Sequence, residues 1–211
     1  AMTVVVSIIL VYTSLNICGN LVLYFFRFDV GNEGAYSIFA AVAFAAQVLV
    51  MMVIPLLRKR FSKSQLFISG FIIQIAGFAV ILIMAFAKLY TPQSWYILCL
   101  PGILIYLGYG MLNVIMTIFL SDSVDYGEVM NGTREESVIF SMQTFTVKLA
   151  SGVAVFLAGL VVDWIHLDTA AAVQTQDTLD ALRMWMTIPS VILLIVGIFV
   201  FKRFYKLDDT R

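Results

Sequence analysis

Apolar residues run along this chain in six long blocks, at about 2–26, 36–57, 65–87, 95–120, 138–163 and 183–201, with the polar residues gathered in the segments between them. Each block is long enough to cross a hydrocarbon core of about 30 Å. A helix is predicted for every block, because in lipid each backbone N–H and C=O must be satisfied within its own segment. None of the blocks has the two-residue alternation of a barrel strand. The first lacks a basic leading region and is too long for a cleaved leader, so it reads as a span. Short turns such as Gly31 to Gly34 and Arg58 to Ser64 predict an up-and-down arrangement. The expected fold is an all-α membrane protein in which residues 1–211 form one six-transmembrane-helix bundle.

Composition agrees: the chain is 62% hydrophobic and 12% charged, with a mean hydropathy of +0.99, well outside the range of soluble domains. The formal net charge of zero hides an asymmetry between the two faces. Arg58, Lys59, Arg60, Lys63, Arg134, Lys202, Arg203, Lys206 and Arg211 fall on one face, and Arg27, Lys88 and Arg183 on the other. The positive-inside rule then places both termini in the cytoplasm of a cell (inner or plasma) membrane. Cys18 and Cys99 lie within apolar blocks without metal-type spacing. The single histidine, His166, shares the outer segment 164–182 with Asp168, Asp177 and Asp180 and reads as a solvated loop residue. No metal site, dissociable cofactor or nucleic-acid partner is expected.

The fifth block holds the strongest functional signal. Lys148 stands roughly ten residues, or about 15 Å at helical rise, beyond the start of this block. An ammonium at that depth costs about 2.5 to 3.5 kcal/mol, and such groups face a cavity or a partner rather than lipid. Ser137, Ser141, Thr144, Lys148 and Ser151 recur at steps of four and three, so they share one stripe of the helix. Gln143 and Val147 flank it. A wet cavity accounts for a polar stripe centred on a lysine. Ala150, Gly152, Ala154, Ala158 and Gly159 lie on other faces, where small side chains let helices approach.

The first block offers a complementary face, with Tyr12, Asn16, Asn20 and Tyr24 recurring every four residues. Interhelical hydrogen bonding and ligand contact both use such amides. The fourth block carries Pro101, Gly102, Gly108 and Gly110 among Tyr106, Tyr109 and Asn113, a composition found in interrupted helices and in membrane helices generally. After it, SDSVDYGEVMNGTREES concentrates Asp122, Asp125, Glu128, Arg134, Glu135 and Glu136 at the cytoplasmic surface. This segment reads either as a solvated loop or as a gate whose charges pair differently in different states. Asn131-Gly132-Thr133 spells a glycosylation acceptor, but on the cytoplasmic side.

The block SDSVDYGE, TREES, SMQTFTVK and LASG resembles the tenth and eleventh helices of the glycoside–pentoside–hexuronide cation symporters, the melibiose-permease family within the major facilitator fold. A weaker likeness extends over the rest of the chain, including RKRFSKS as a degenerate basic inner loop. It covers the C-terminal six-helix half of such a protein. The resemblance implies a cation-coupled sugar (glycoside) symport by alternating access. It places Lys148 near the cation and sugar sites, with Gln143, Thr144 and Val147 facing the sugar cavity. Asp122, Asp125, Glu128, Arg134 and Glu136 would belong to the charged network between two bundles. Where the melibiose permease has a tryptophan nine residues before the first of these aspartates, this chain has Asn113, which with Asn16 and Asn20 joins the candidate sugar contacts.

The family's cation-binding carboxylates belong to the other half, so the implied partners are an N-terminal six-helix half, a sugar or glycoside, a monovalent cation (Na+ or H+) and the bilayer. The alternative is a half-size module that homodimerises or serves assembly without transport of its own. A channel would show a filter such as a TVGYG-like loop. An intramembrane enzyme would need a nucleophile or paired-acid constellation at membrane depth. Neither pattern is present in the sequence.

Overall fold

The computed structural model describes residues 2–132, 136–171 and 173–204. Helix α1 (Met2–Tyr24) continues into a π-helical turn at Phe25–Val30; α2 (Ala35–Leu57) and α3 (Lys63–Phe86) follow. A 3-10 turn at Trp95–Leu98 then leads into α4 (Cys99–Asn131), and α5 (Glu136–Trp164) and α6 (Gln176–Phe204) complete the chain. All six helices are long and apolar enough to cross a membrane. Around the bundle they pack in the order α2, α4, α3, α6, α1, α5, with α1 also reaching α4 and α4 reaching α5.

Local sequence explains the ends. Ser62 starts α3 with a capping box: its hydroxyl accepts the Gln65 N–H at 3.2 Å while the Gln65 side chain accepts the Ser62 N–H at 3.1 Å. The turn of α1 ends at Gly31, whose φ of 75° suits a residue without Cβ.

Two segments differ from the sequence expectation. Much of the charged stretch after residue 120 is helical, because α4 runs on to Asn131 and stops only at Gly132, whose N–H bonds to the Glu128 carbonyl at 2.9 Å. Beyond the hydrocarbon, a helix can continue on polar residues until a breaker arrives. Helix α6 begins at Gln176, so Arg183 lies two turns inside it rather than at the edge of an outer loop. The Thr175 hydroxyl accepts the Thr178 N–H at 3.3 Å and helps to start that helix.

Helix contacts depend on small residues and a few polar ties. A Cβ on Gly108 would lie 2.6 Å from both the Gln74 nitrogen and the Gly70 carbonyl oxygen, so α3 and α4 approach backbone to backbone there. Gly102 and Gly110 likewise make room for α2, at Phe39 and Val50, and α4 is continuous rather than interrupted. The Ser14 hydroxyl donates to the Ser190 carbonyl at 3.1 Å and the Ser190 hydroxyl donates back to the Ser14 carbonyl at 2.9 Å, clasping α1 to α6. Phe67, Phe119 and Phe201 pack together near the start of α3 and the C-terminal parts of α4 and α6.

Candidate functional site

Helix α5 turns Thr146, Ala150, Ala154, Ala158 and Val161 into the bundle. That choice of buried face leaves Ser137, Ser141, Thr144 and Lys148 exposed and Ser151 half-buried, so the whole stripe points out of this chain. Lys148 has no ion pair among the described residues. Gln143 and Val147 are half-buried beside it, and the Thr144 hydroxyl donates to the Phe140 carbonyl at 3.0 Å. A concave surface of about 430 Å³ opens along the N-terminal part of the stripe, lined by Ser137, Val138, Ser141, Met142 and Phe145.

The polar face of α1 meets α4. The Asn113 amide donates to the Tyr12 hydroxyl at 2.9 Å, and the Tyr12 ring stands edge-on to Tyr109 at 5.5 Å between centroids. Tyr106 follows edge-on to Tyr109 at 6.5 Å. The three tyrosines and Asn113 thus form one aromatic and amide surface across the α1–α4 junction. Asn16 and Asn20 are half-buried, and each amide nitrogen is used on its own helix, donating at 2.7 Å to the Tyr12 and Asn16 carbonyls respectively. Their carbonyl oxygens have no partner among the described residues.

In the charged segment, Asp122 pairs with Lys63 of α3 at 2.5 Å, a tie within this bundle. Asp125 and Glu128 are exposed on the extension of α4, and Glu136 is exposed at the start of α5. Arg134 lies outside the described residues, as do Glu135 and the Thr133 of the glycosylation triplet.

A further polar centre was not read from the sequence. Arg183 on α6, 2% exposed, makes a two-pronged ion pair with Asp29, 4% exposed, at 2.5 and 2.7 Å. The same guanidinium donates to Asp180 at 2.7 Å and lies 5.8 Å from the Phe86 ring centre. The Tyr90 phenol, in the segment between α3 and α4, donates to Asp29 at 2.7 Å; burial first, and then the Asp29 carboxylate, raise its pKa above the ordinary phenol value. Arg183 thus pairs with both carboxylates of the cluster, Asp29 and Asp180, which makes it a structural tie between the end of α1, the segment after α3 and α6. The signal available beforehand was a pair of opposite charges, each flanked by apolar residues, in FRFDV and ALRMWM.

The family model described as MFS/sugar transport protein matches residues 1–209. The chain belongs to this family. Its six-helix bundle is one half of a major facilitator fold. Among curated relatives, the MFS/sugar transport chain is 26% identical to an uncharacterized symporter of Bacillus subtilis, YjmB, over 210 residues, which is 100% of this chain and 44% of the relative. It is 26% identical to the isoprimeverose transporter of Lactiplantibacillus pentosus, over 88% of this chain and 37% of that protein. The raffinose carrier protein of Pediococcus pentosaceus is 24% identical, over 88% of this chain and 28% of its own length. The chain therefore spans less than half the length of each of these relatives.

Proposed function

We propose that this bundle is the C-terminal half of a cation-coupled sugar (glycoside) symporter, completed by an N-terminal six-helix half and working by alternating access. The observation that carries the reading is Lys148: a charge at the middle of an apolar helix, exposed and without an ion pair among the described residues, on a stripe that the described residues leave largely uncovered. A membrane protein would leave such a group open only toward water or a facing partner. The names of the isoprimeverose and raffinose carriers support a glycoside as cargo.

In this account the second bundle brings a carboxylate to Lys148, and Na+ or H+ entering the carboxylate site competes with the lysine, so cation and sugar occupancy become linked. Gln143, Thr144 and Val147 on α5, with Asn16, Asn20 and Asn113, line the sugar cavity. The Asn carbonyl oxygens offer acceptors to sugar hydroxyls, and Tyr12, Tyr106 and Tyr109 offer apolar ring edges. Asp122, Asp125, Glu128, Arg134 and Glu136 form the cytoplasmic gate between the two bundles. The excess of Lys and Arg on the opposite face from Arg27 and Lys88 supports cytoplasmic termini. The protein is a carrier and not a catalyst.

The test is uptake of a panel of labelled glycosides by the full-length transporter in vesicles, with and without a Na+ or proton gradient. Gradient-driven accumulation of at least one glycoside is expected. Equal uptake with and without both gradients, or none for any glycoside, contradicts the reading.

A further inference from the structure

Helices α5 and α6 both pack on α1, but they do not pack along one another. They meet at one end, where Trp164 and Trp185 lie 5.2 Å apart between ring centroids. Beside that pair they leave a groove of about 560 Å³, walled by Leu157 of α5 and by Met184, Trp185, Ile188 and Ile192 of α6, with Ile17 of α1 as its floor.

The position of this groove decides what it faces. Leu157 is about 140° around α5 from Thr144 at 100° per residue, so the groove opens on the side away from the polar stripe. Met184 and Ile192 are exposed at its mouth, and further along α6 so are Ile195 and Phe199. An exposed apolar side of this kind suits hydrocarbon rather than water. Its α6 wall runs from Ala181 to Leu193, about 18 Å at helical rise, close to the depth of one leaflet of a core about 30 Å thick. The tryptophan pair lies toward the Ala181 end of this wall, and tryptophans are enriched at membrane–water boundaries. Water does not fill an apolar gap of this kind. Among the described residues, no charged side chain lines it.

We infer that the groove between α5 and α6 is a lipid site, holding one acyl chain of a phospholipid from the leaflet on the Trp164 and Trp185 side. The lining recognises hydrocarbon alone, so the site takes the chain without selecting the headgroup.

The experiment uses the full-length transporter in vesicles of phosphatidylethanolamine and phosphatidylglycerol with a trace of phosphatidylcholine bearing a photoreactive diazirine in its acyl chain. After illumination, labelled residues are mapped by peptide mass spectrometry. Labelling at Leu157, Met184, Ile188 and Ile192 is expected to exceed, several-fold, that at Phe44, Leu49 and Met52 on the exposed face of α2. Ile188→Trp should lower the groove labelling several-fold and leave the α2 labelling and the melting midpoint unchanged. If that variant does not fold, Ile192→Trp and the ratio in the unsubstituted protein decide the matter. Groove labelling no higher than that of α2 overturns the inference. So does protection of the groove together with disulfide trapping, through Leu157→Cys or Ile188→Cys, of another segment of the transporter.

Discussion

Asn113 of α4 and Tyr12 of α1 are joined by a hydrogen bond of 2.9 Å from the side-chain amide to the phenol oxygen. The bond fixes the Tyr12 ring edge-on to Tyr109 and so shapes the aromatic surface proposed for the sugar. Interhelical hydrogen bonds in membranes average about 0.6 kcal/mol in double-mutant cycles. Tyr12→Phe and Asn113→Leu should therefore cost little stability, show a coupling of that size in a thermal-unfolding cycle, and each raise the KM for sugar. Unchanged KM in both variants would remove this surface from the site.

A larger effect on folding is expected at the ion pair between Asp29 and Arg183. Arg183→Ala leaves a buried carboxylate without its cation, a loss of about 3 to 5 kcal/mol. Asp29→Leu combined with Arg183→Met removes both charges and should recover most of that loss. Unfolding in detergent, followed by tryptophan fluorescence, checks the order. An Arg183→Ala variant as stable as the parent would contradict the structural role.

Gln74 gives a test of opposite sign. It is fully buried in α3 against α4, and neither atom of its amide has a partner among the described residues. A buried unsatisfied polar group costs about 1 to 3 kcal/mol, so Gln74→Leu, similar in volume, should raise stability by up to that amount. A lower melting midpoint would mean that the amide is bonded in the membrane.

The glycines divide in the same way. Gly108→Ala forces a methyl to within 2.6 Å of the α3 backbone and should weaken the α3–α4 contact, whereas Gly152→Ala meets nothing within 4 Å. The first variant should lower the melting midpoint and the second leave it close to that of the parent. Reversal of this order would show that α3 and α4 do not pack as described.

The helices and the stripe on α5 are legible in the sequence because each depends on local spacing: apolar length for a span, steps of three and four for a face. The ends of α4 and α6 are not. A window of hydropathy closes at the first cluster of charges, while the helix continues to Gly132 or begins before Arg183 because backbone bonding does not require lipid. The partners of Asp29, Tyr12 and Asp122 lie far away in the chain, and helical periodicity does not say which faces meet. Asn16 and Asn20 were legible as a face, but the use of their amide nitrogens on their own helix becomes visible only in the geometry.

Lys148 carries the account, and concentrative sugar uptake by Lys148→Ala in the full-length transporter tests it most directly. If a carboxylate of the other half faces Lys148 as proposed, loss of the lysine leaves it without its competitor, so accumulation against a gradient should fall to background while the amount of protein in the membrane stays near normal. Lys148→Arg should restore little, because the planar guanidinium is larger and holds its proton more tightly. Accumulation by Lys148→Ala at the parent level with the parent dependence on the driving cation would contradict the account and return Lys148 to a structural role.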